Sequence, residues 1–379
     1  MLRLGKKRGM RLVQKSLLAR WFVLILVPAR CLIFAQGTMM TPAPAGAAFW
    51  AVSGRFIGSK QCAACHPAQA RNFHRNSMSR ALEPVDTCAI LKGDVHYNWT
   101  DGTYAYSITR AGEKVLYRVT DGKETFETPL QFAFGQGKAG QTYVYGHNGS
   151  FYESRVSFYA KLQGLDLTVG AVNATPSDLL TAAGRVMNSR DARDCFGCHT
   201  TGARIGNTLQ LTSYEAGVQC EGCHGPGGAH VQSIRNGKPA PGSIRSLKGM
   251  DPQETSEMCG VCHRTWETVV TMGLKGINTA RFPAYRLTSS PCFSLQDRRI
   301  ACTACHNPHE GLDSDDRHYD GKCTACHNQA NAALKRRVCK VAKANCTSCH
   351  MMRVEPPESH HAFVDHWIRV VRSKDDYPE

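Results

Sequence analysis

Between residues 95 and 165 the chain alternates aromatic or branched residues with polar ones, the period-two pattern of half-buried strands. Tyr104, Tyr106 and Ile108 fall on one side of a first candidate strand, and Val115, Tyr117 and Val119 on one side of the next. Asp101-Gly102, Asp121-Gly122 and Asn148-Gly149 stand where hairpins need left-handed backbone. Further strands are expected over 126–134, 141–146 and 151–160. The pattern predicts an antiparallel β-rich insert of five or six strands over 95–170, its aromatics forming its own core. Their other use would be as a docking or covering surface.

Two further apolar patterns stand at the chain ends. Trp21 to Phe34 is an apolar run of 14 residues broken by Pro28 and Arg30, behind a basic stretch without acids. It is too short and too interrupted for a spanning helix of about 20 residues, and reads as a secretory signal over 1–35. A retained membrane anchor is the alternative. Cys31, next to Arg30, is a poor context for lipid attachment. Near the other end, Phe363, Val364, Trp367, Val370 and Val371 recur at helical spacing, which predicts a helix capped by Ser359. Residues 36–58, rich in Ala, Gly, Pro and Thr, read as a linker.

Charge changes the picture once the signal is set aside. Lys plus Arg is 46 and Asp plus Glu 31, a formal +15. Residues 1–35 carry eight basic groups and no acid, so the remainder is +7 (15 less 8). Most of the basicity belongs to export, and a nucleic-acid partner loses its support.

Fourteen of the 18 cysteines fall into Cys-x-x-Cys-His, repeated seven times: Cys62/Cys65/His66, Cys195/Cys198/His199, Cys220/Cys223/His224, Cys259/Cys262/His263, Cys302/Cys305/His306, Cys323/Cys326/His327 and Cys346/Cys349/His350. Two thiols at this spacing reach the two vinyl groups of one haem, and the next His reaches the iron from the proximal side. Zinc sites pair such motifs two at a time, and seven is odd. A redox dithiol has no need of His at the next position. The expectation is seven covalent haem c groups. Residues 59–94 form a first haem-binding segment and 171–379 a six-haem domain. The predicted fold class is a multihaem cytochrome c: short helices and irregular loops wrapped around stacked haems, with the β-rich insert between. With two propionates per haem, seven ferric haems add about −7 and bring the holoprotein near neutral.

Nine other histidines remain for the opposite faces of the rings: His74, His96, His147, His230, His309, His318, His360, His361 and His366. His309, three residues after His306, lies on the same side as that ligand and would serve a different haem. His230 stands in a similar relation to His224, and Met78, twelve residues past His66, would also serve another site. On the predicted helix His360 and His366 point about 240° apart, toward two different haems. The candidate distal ligands are thus His230, His309, His360, His366 and Met78. Of the remaining cysteines, Cys292 and Cys339 could form a bridge, leaving Cys88 as the odd thiol.

Longer phrases around the motifs carry a resemblance. G-S-K-Q-C-A-A-C-H-P at 58–67, V-Q-C-E-G-C-H-G-P-G-G-A-H-V at 218–231, A-C-T-A-C-H-N-P-H at 301–309, N-C-T-S-C-H-M at 345–351 and H-H-A-F-V-D-H-W-I-R at 360–369 are the matching stretches. There the chain resembles the multihaem cytochromes c related to the tetrahaem cytochrome of ammonia oxidation and the octahaem reductases. The resemblance implies that His230, His309, His360 and His366 are distal ligands. Relatives carry Ser-x-His or His-His where this chain has Asn76-Ser77-Met78-Ser79, so the resemblance implies Met78 in place of a His. No Cys-x-x-Cys-Lys site is present, which removes the lysine-ligated catalytic haem of the pentahaem nitrite reductases.

Function is open between classes at this level. The first expectation is an exported electron carrier, periplasmic or extracellular, passing electrons through stacked haems to redox proteins or a membrane electron-transfer complex. The second is a multihaem oxidoreductase acting on a small nitrogen or sulfur compound at a haem with an open distal position, with His96 and His147 as proton donors. The third is a filament or complex subunit, or a homo-oligomer, assembled through the insert.

Overall fold

The computed structural model describes residues 45–327, 339, 341–372, 375 and 377. The expected signal over 1–35 lies outside them.

Alternation along 95–170 does build an antiparallel sheet, but a larger one than expected. Its strands are β1 (Leu82–Pro84), β2 (His96–Thr100), β3 (Ala105–Ala111), β4 (Lys114–Thr120), β5 (Thr125–Phe134), β6 (Gln141–His147), β7 (Ser150–Tyr159), β8 (Gly164–Leu167) and β9 (Gly184–Val186). β2 to β8 follow one another as a meander, with β1 on β5 and β9 on β7, so the count is nine rather than five or six. The two strands outside 95–170, β1 and β9, are three residues each, too short to show a period. Asn148 and Gly149, with φ of 48° and 75°, make the tight β6–β7 turn that the Asn-Gly pair requires. The sheet curls until β2 and β8 approach each other.

One face of the curled sheet encloses its own core. Tyr106, Ile108, Val115, Tyr117, Val119, Tyr143, Tyr145 and Val156 are buried there, closed over by Cys88, Leu91, Val95, Ala182 and Ala183. Burying such side chains contributes about 1.5–3 kcal/mol each. A second cluster joins Leu82, Phe134 and Val144 of the sheet to Met187, Ala192, Phe196 and Ala203. Phe196 lies inside the second motif, and its ring meets Phe132 and Phe134 edge-on at 4.9 and 5.1 Å. The sheet therefore buttresses one of the Cys-x-x-Cys-His segments directly.

The rest is short helices and loops. Residues 45–58, read as the end of a linker, hold a helix (Ala45–Trp50) and pack against the chain. Arg204 lies 4.7 Å from the Trp50 ring centre, and Gly206 N–H donates to Trp50 O at 2.7 Å. The expected C-terminal helix is not formed. Phe363–Val364 pairs instead with Arg353–Val354 as a two-stranded ribbon. Glu358 and His360 take φ of 65° and 47°, which no right-handed helix tolerates. Asp365 is the reason the segment folds inward. Its carboxylate is fully buried and takes two bonds from Arg286, at 2.9 and 3.0 Å. Arg369 and the Tyr377 hydroxyl donate to it as well.

Candidate functional site

All seven motifs close short helices: Ser59–Cys65, Ser189–His199, Cys220–His224, Pro252–His263, Cys302–Cys305, Asp320–His327 and Cys346–His350. A helical turn places residues three apart on one face, so each motif offers two thiols to the same side. The helices begin where the sequence supplies caps. Asn188 accepts from the N–H groups of Arg190 and Asp191, both at 2.9 Å. Asp251 and Glu254 form a reciprocal capping box around Pro252. Ser59 has no local cap; its N–H and hydroxyl donate to the Glu215 carboxylate, at 3.1 and 3.0 Å.

Thiols of different motifs come close to one another. Cys62 meets Cys220, joining the first motif to the third. Cys198 meets Cys262, Cys259 meets Cys302, and Cys323 meets Cys346. Burial pushes the Cys62 thiol up to about 11, with Cys220 and Glu221 adding to it. Burial likewise pushes Cys195 and Cys346 up to about 12. Cys62, Cys195 and Cys346 are thus held as neutral thiols. No three His, Cys, Asp or Glu side chains among the described residues gather as a bare-metal site.

The sequence treats all fourteen motif cysteines alike, and the structure does not. Cys326 and Cys349, expected as the second haem anchors of the sixth and seventh motifs, are not drawn into these thiol junctions. Cys326 is half-buried, with Arg299 in electrostatic range. Cys349 is exposed, its Sγ 3.8 Å from Ser348 Oγ. Cys65 and His327 are exposed too.

The imidazoles are arranged as pairs. His66 and His230 have ring centres 6.4 Å apart. His224 and His309 are 6.1 Å apart with planes within 5°. His306 and His366 are 6.2 Å apart. Each pair takes the His of one motif and a candidate distal His that follows another motif or lies in the C-terminal segment. An imidazole bound to a metal through Nε2 sits about 2.0 Å from it, with its ring centre about 1.2 Å beyond, so two rings on opposite sides of one iron stand about 6.4 Å apart. The three separations fit that requirement.

Tautomers fit too. Nδ1 lies 2.8 Å from Ala81 O in His199, 2.8 Å from Arg245 O in His224, 3.1 Å from Arg369 O in His350 and 2.9 Å from Val364 O in His366. A carbonyl only accepts, so Nδ1 donates, and the lone pair is left on Nε2, where an iron would be held. Burial pulls His366 down to about 4, with His306 adding to it, and lowers His199 and His306 as well. Neutral imidazole is the ligating form.

Other candidates are placed differently. His360 faces no proximal imidazole; its Nε2 lies 2.8 Å from Asp166 Oδ2 and its ring 4.7 Å from that of Tyr159, against the sheet. Met78 is half-buried, and its carbonyl accepts from Val218 N–H at 2.8 Å, beside the third motif. His96 pairs with Asp94 at an exposed end of β2, and His147 packs on Phe126 and Tyr152 at the end of β6. His318 pairs with Asp313, and His361 meets Phe363. His74 is exposed. Cys339 is an exposed thiol outside any disulfide, so its expected bridge to Cys292 is not made; Cys88 is buried and also unbridged.

Sequence reasoning missed Glu221, the second residue of the third motif. Its buried carboxylate accepts from Ile57 N–H (3.0 Å), Gly58 N–H (2.8 Å) and Gly227 N–H (2.7 Å). It thereby ties the entry to the first motif to the loop leading to His230, the two halves of one imidazole pair. An acid between the two cysteines of a Cys-x-x-Cys-His motif was the available signal.

A family model described as cytochrome c554 and c-prime matches residues 173–225, which contain the second and third motifs. Over 102 residues the chain is 34% identical to cytochrome c-554 of Nitrosomonas europaea, covering 24% of this chain and 43% of that protein. The chain thus matches less than half the length of this relative. No solved structure matches. Both similarities are to proteins described as cytochromes c, the kind of protein that the repeated motifs lead one to expect.

Proposed function

We propose that the chain is an exported seven-haem c-type cytochrome, periplasmic or extracellular, that carries single electrons through neighbouring haems. Its partners would be redox proteins or a membrane electron-transfer complex. The observation that best supports this is the set of three imidazole pairs spaced 6.1 to 6.4 Å apart. In this reading His66 with His230, His224 with His309, and His306 with His366 would each hold one iron from both sides. Haem would supply the reversible ferric–ferrous couple. The chain supplies neutral, oriented imidazoles and thiols that anchor the rings. Cys326 and Cys349 would be anchors at solvent-facing ring edges. An iron closed on both faces has no position for substrate, which suits a carrier better than a catalyst.

Electron paramagnetic resonance of the ferric protein, with the haem load fixed by intact mass, tests the reading. His230→Ala, His309→Ala and His366→Ala should each convert one haem from low spin to high spin and admit carbon monoxide after reduction. A mass without added haem, or three variants with unchanged spectra, would overturn it.

A further inference from the structure

Several arginines of this chain are matched by acids. Arg286 and Arg369 share Asp365, and Arg204 holds Asp194 at 2.7 Å. Two others stand apart. Arg264 directly follows His263 of the fourth motif, in the left-handed region at φ 64°, a conformation costly for a side chain of its size. It stands within electrostatic range of Cys262 beside it and of Cys198 and His199 of the second motif. Arg281 stands within range of Arg264, its guanidinium 5.2 Å from the Phe282 ring centre. Its Nε is sealed from solvent and has no hydrogen-bond partner. The acid in range of Arg281 is Glu358, whose carboxylate takes the Gly170 N–H at 2.8 Å. Burial, and next the charge on Arg264, lower the affinity of Arg281 for its proton.

Two like charges held together, one with a sealed donor, are expensive unless an anion completes them. The place narrows the anion. It lies where the thiols of the second and fourth motifs meet. Each haem tethered there brings two carboxylates, and the planar guanidinium fork matches a carboxylate in a way that a point charge does not.

We propose that Arg264 and Arg281 form a cationic clamp for haem propionates at the junction of the second and fourth motifs. The inference rests on the haem reading above, and the two fail separately. A parent protein without added haem mass would defeat the reading itself. In a fully loaded parent, the clamp is tested by the potentials of Arg281→Gln, Arg264→Gln and Arg281→Lys, measured by spectroelectrochemical titration.

Removing a positive charge beside a carboxylate disfavours adding an electron. Each glutamine variant should therefore lower the potential of one or two haems, by roughly a tenfold shift in the reduction equilibrium, about 59 mV for one electron. Arg281→Lys should recover part of the shift by restoring charge without the fork. Should Arg281→Gln not accumulate, Arg264→Gln carries the same expectation. Unchanged potentials in the glutamine variants would overturn the clamp. So would a spectrum that saturating nitrite perturbs in the parent and not in Arg281→Gln, since the arginines would then serve a free oxyanion.

Discussion

Replacing Glu221 with Ala removes one carboxylate and strands three backbone N–H groups, those of Ile57, Gly58 and Gly227. Hydrogen bonds to a charged acceptor contribute about 1.5–3 kcal/mol each, an upper sum near 5–9 kcal/mol. Ile57 and Gly58 are only half-buried, so water recovers part of their loss. The expected cost is about 3–5 kcal/mol. Glu221→Gln keeps one acceptor oxygen but turns an amide against an N–H, and should cost about half as much. The assay is urea denaturation of the holoprotein followed by Soret absorbance, with the far-ultraviolet signal of the sheet read in parallel. The sheet has its own core, so its transition should hold while the haem-region transition moves. Because Glu221 ties the His66 side to the His230 side, under the proposed ligation loosening it should also broaden the low-spin resonance of a haem held by that pair. A Glu221→Ala protein within about 0.5 kcal/mol of the parent, an effect no larger than a neutral surface change, would refute the keystone role.

Other substitutions probe the remaining joints. Phe196→Ala empties a fully buried ring position between the sheet and the second motif and should cost about 3–5 kcal/mol by the same denaturation assay. Asp365→Asn leaves Arg286 buried without its ion partner and should cost about 3–5 kcal/mol by the same assay. Burial holds the Cys88 thiol above its ordinary range, so iodoacetamide should leave Cys88 unmodified in the native holoprotein and label it after unfolding, as read by peptide mass spectrometry.

The sheet was legible because its signal is local. Tyr106, Ile108, Tyr117 and Val119 alternate with polar neighbours, and Asn148-Gly149 has only one common use. The imidazole pairs were half legible. Three residues of separation forbid His306 and His309 from gripping one iron, which places His309 elsewhere, but nothing near His309 names His224. That partnership spans 85 positions and is settled by packing. Exposure within the motifs was not legible either: the repeat is the same at Cys198 and Cys349, yet one meets the thiol of another motif and the other faces solvent. The C-terminal segment misled for the same reason. Its apolar spacing is helical, yet Asp365 finds Arg286 across 79 positions, and a buried charge outweighs a weak helical preference. His360 followed it: with no helix to aim it, its imidazole settles on Asp166 of the sheet.

The three imidazole pairs also overlap along the chain. His224 comes six positions before His230, and His306 three before His309, so each span opens just before the previous one shuts. Clasped by iron, the spans 66–230, 224–309 and 306–366 would hook one into the next like links. A pull between residues 66 and 366 would then reach every clasp in turn with little slack between them, so the backbone that organises the redox centres would also be a tether resisting extension.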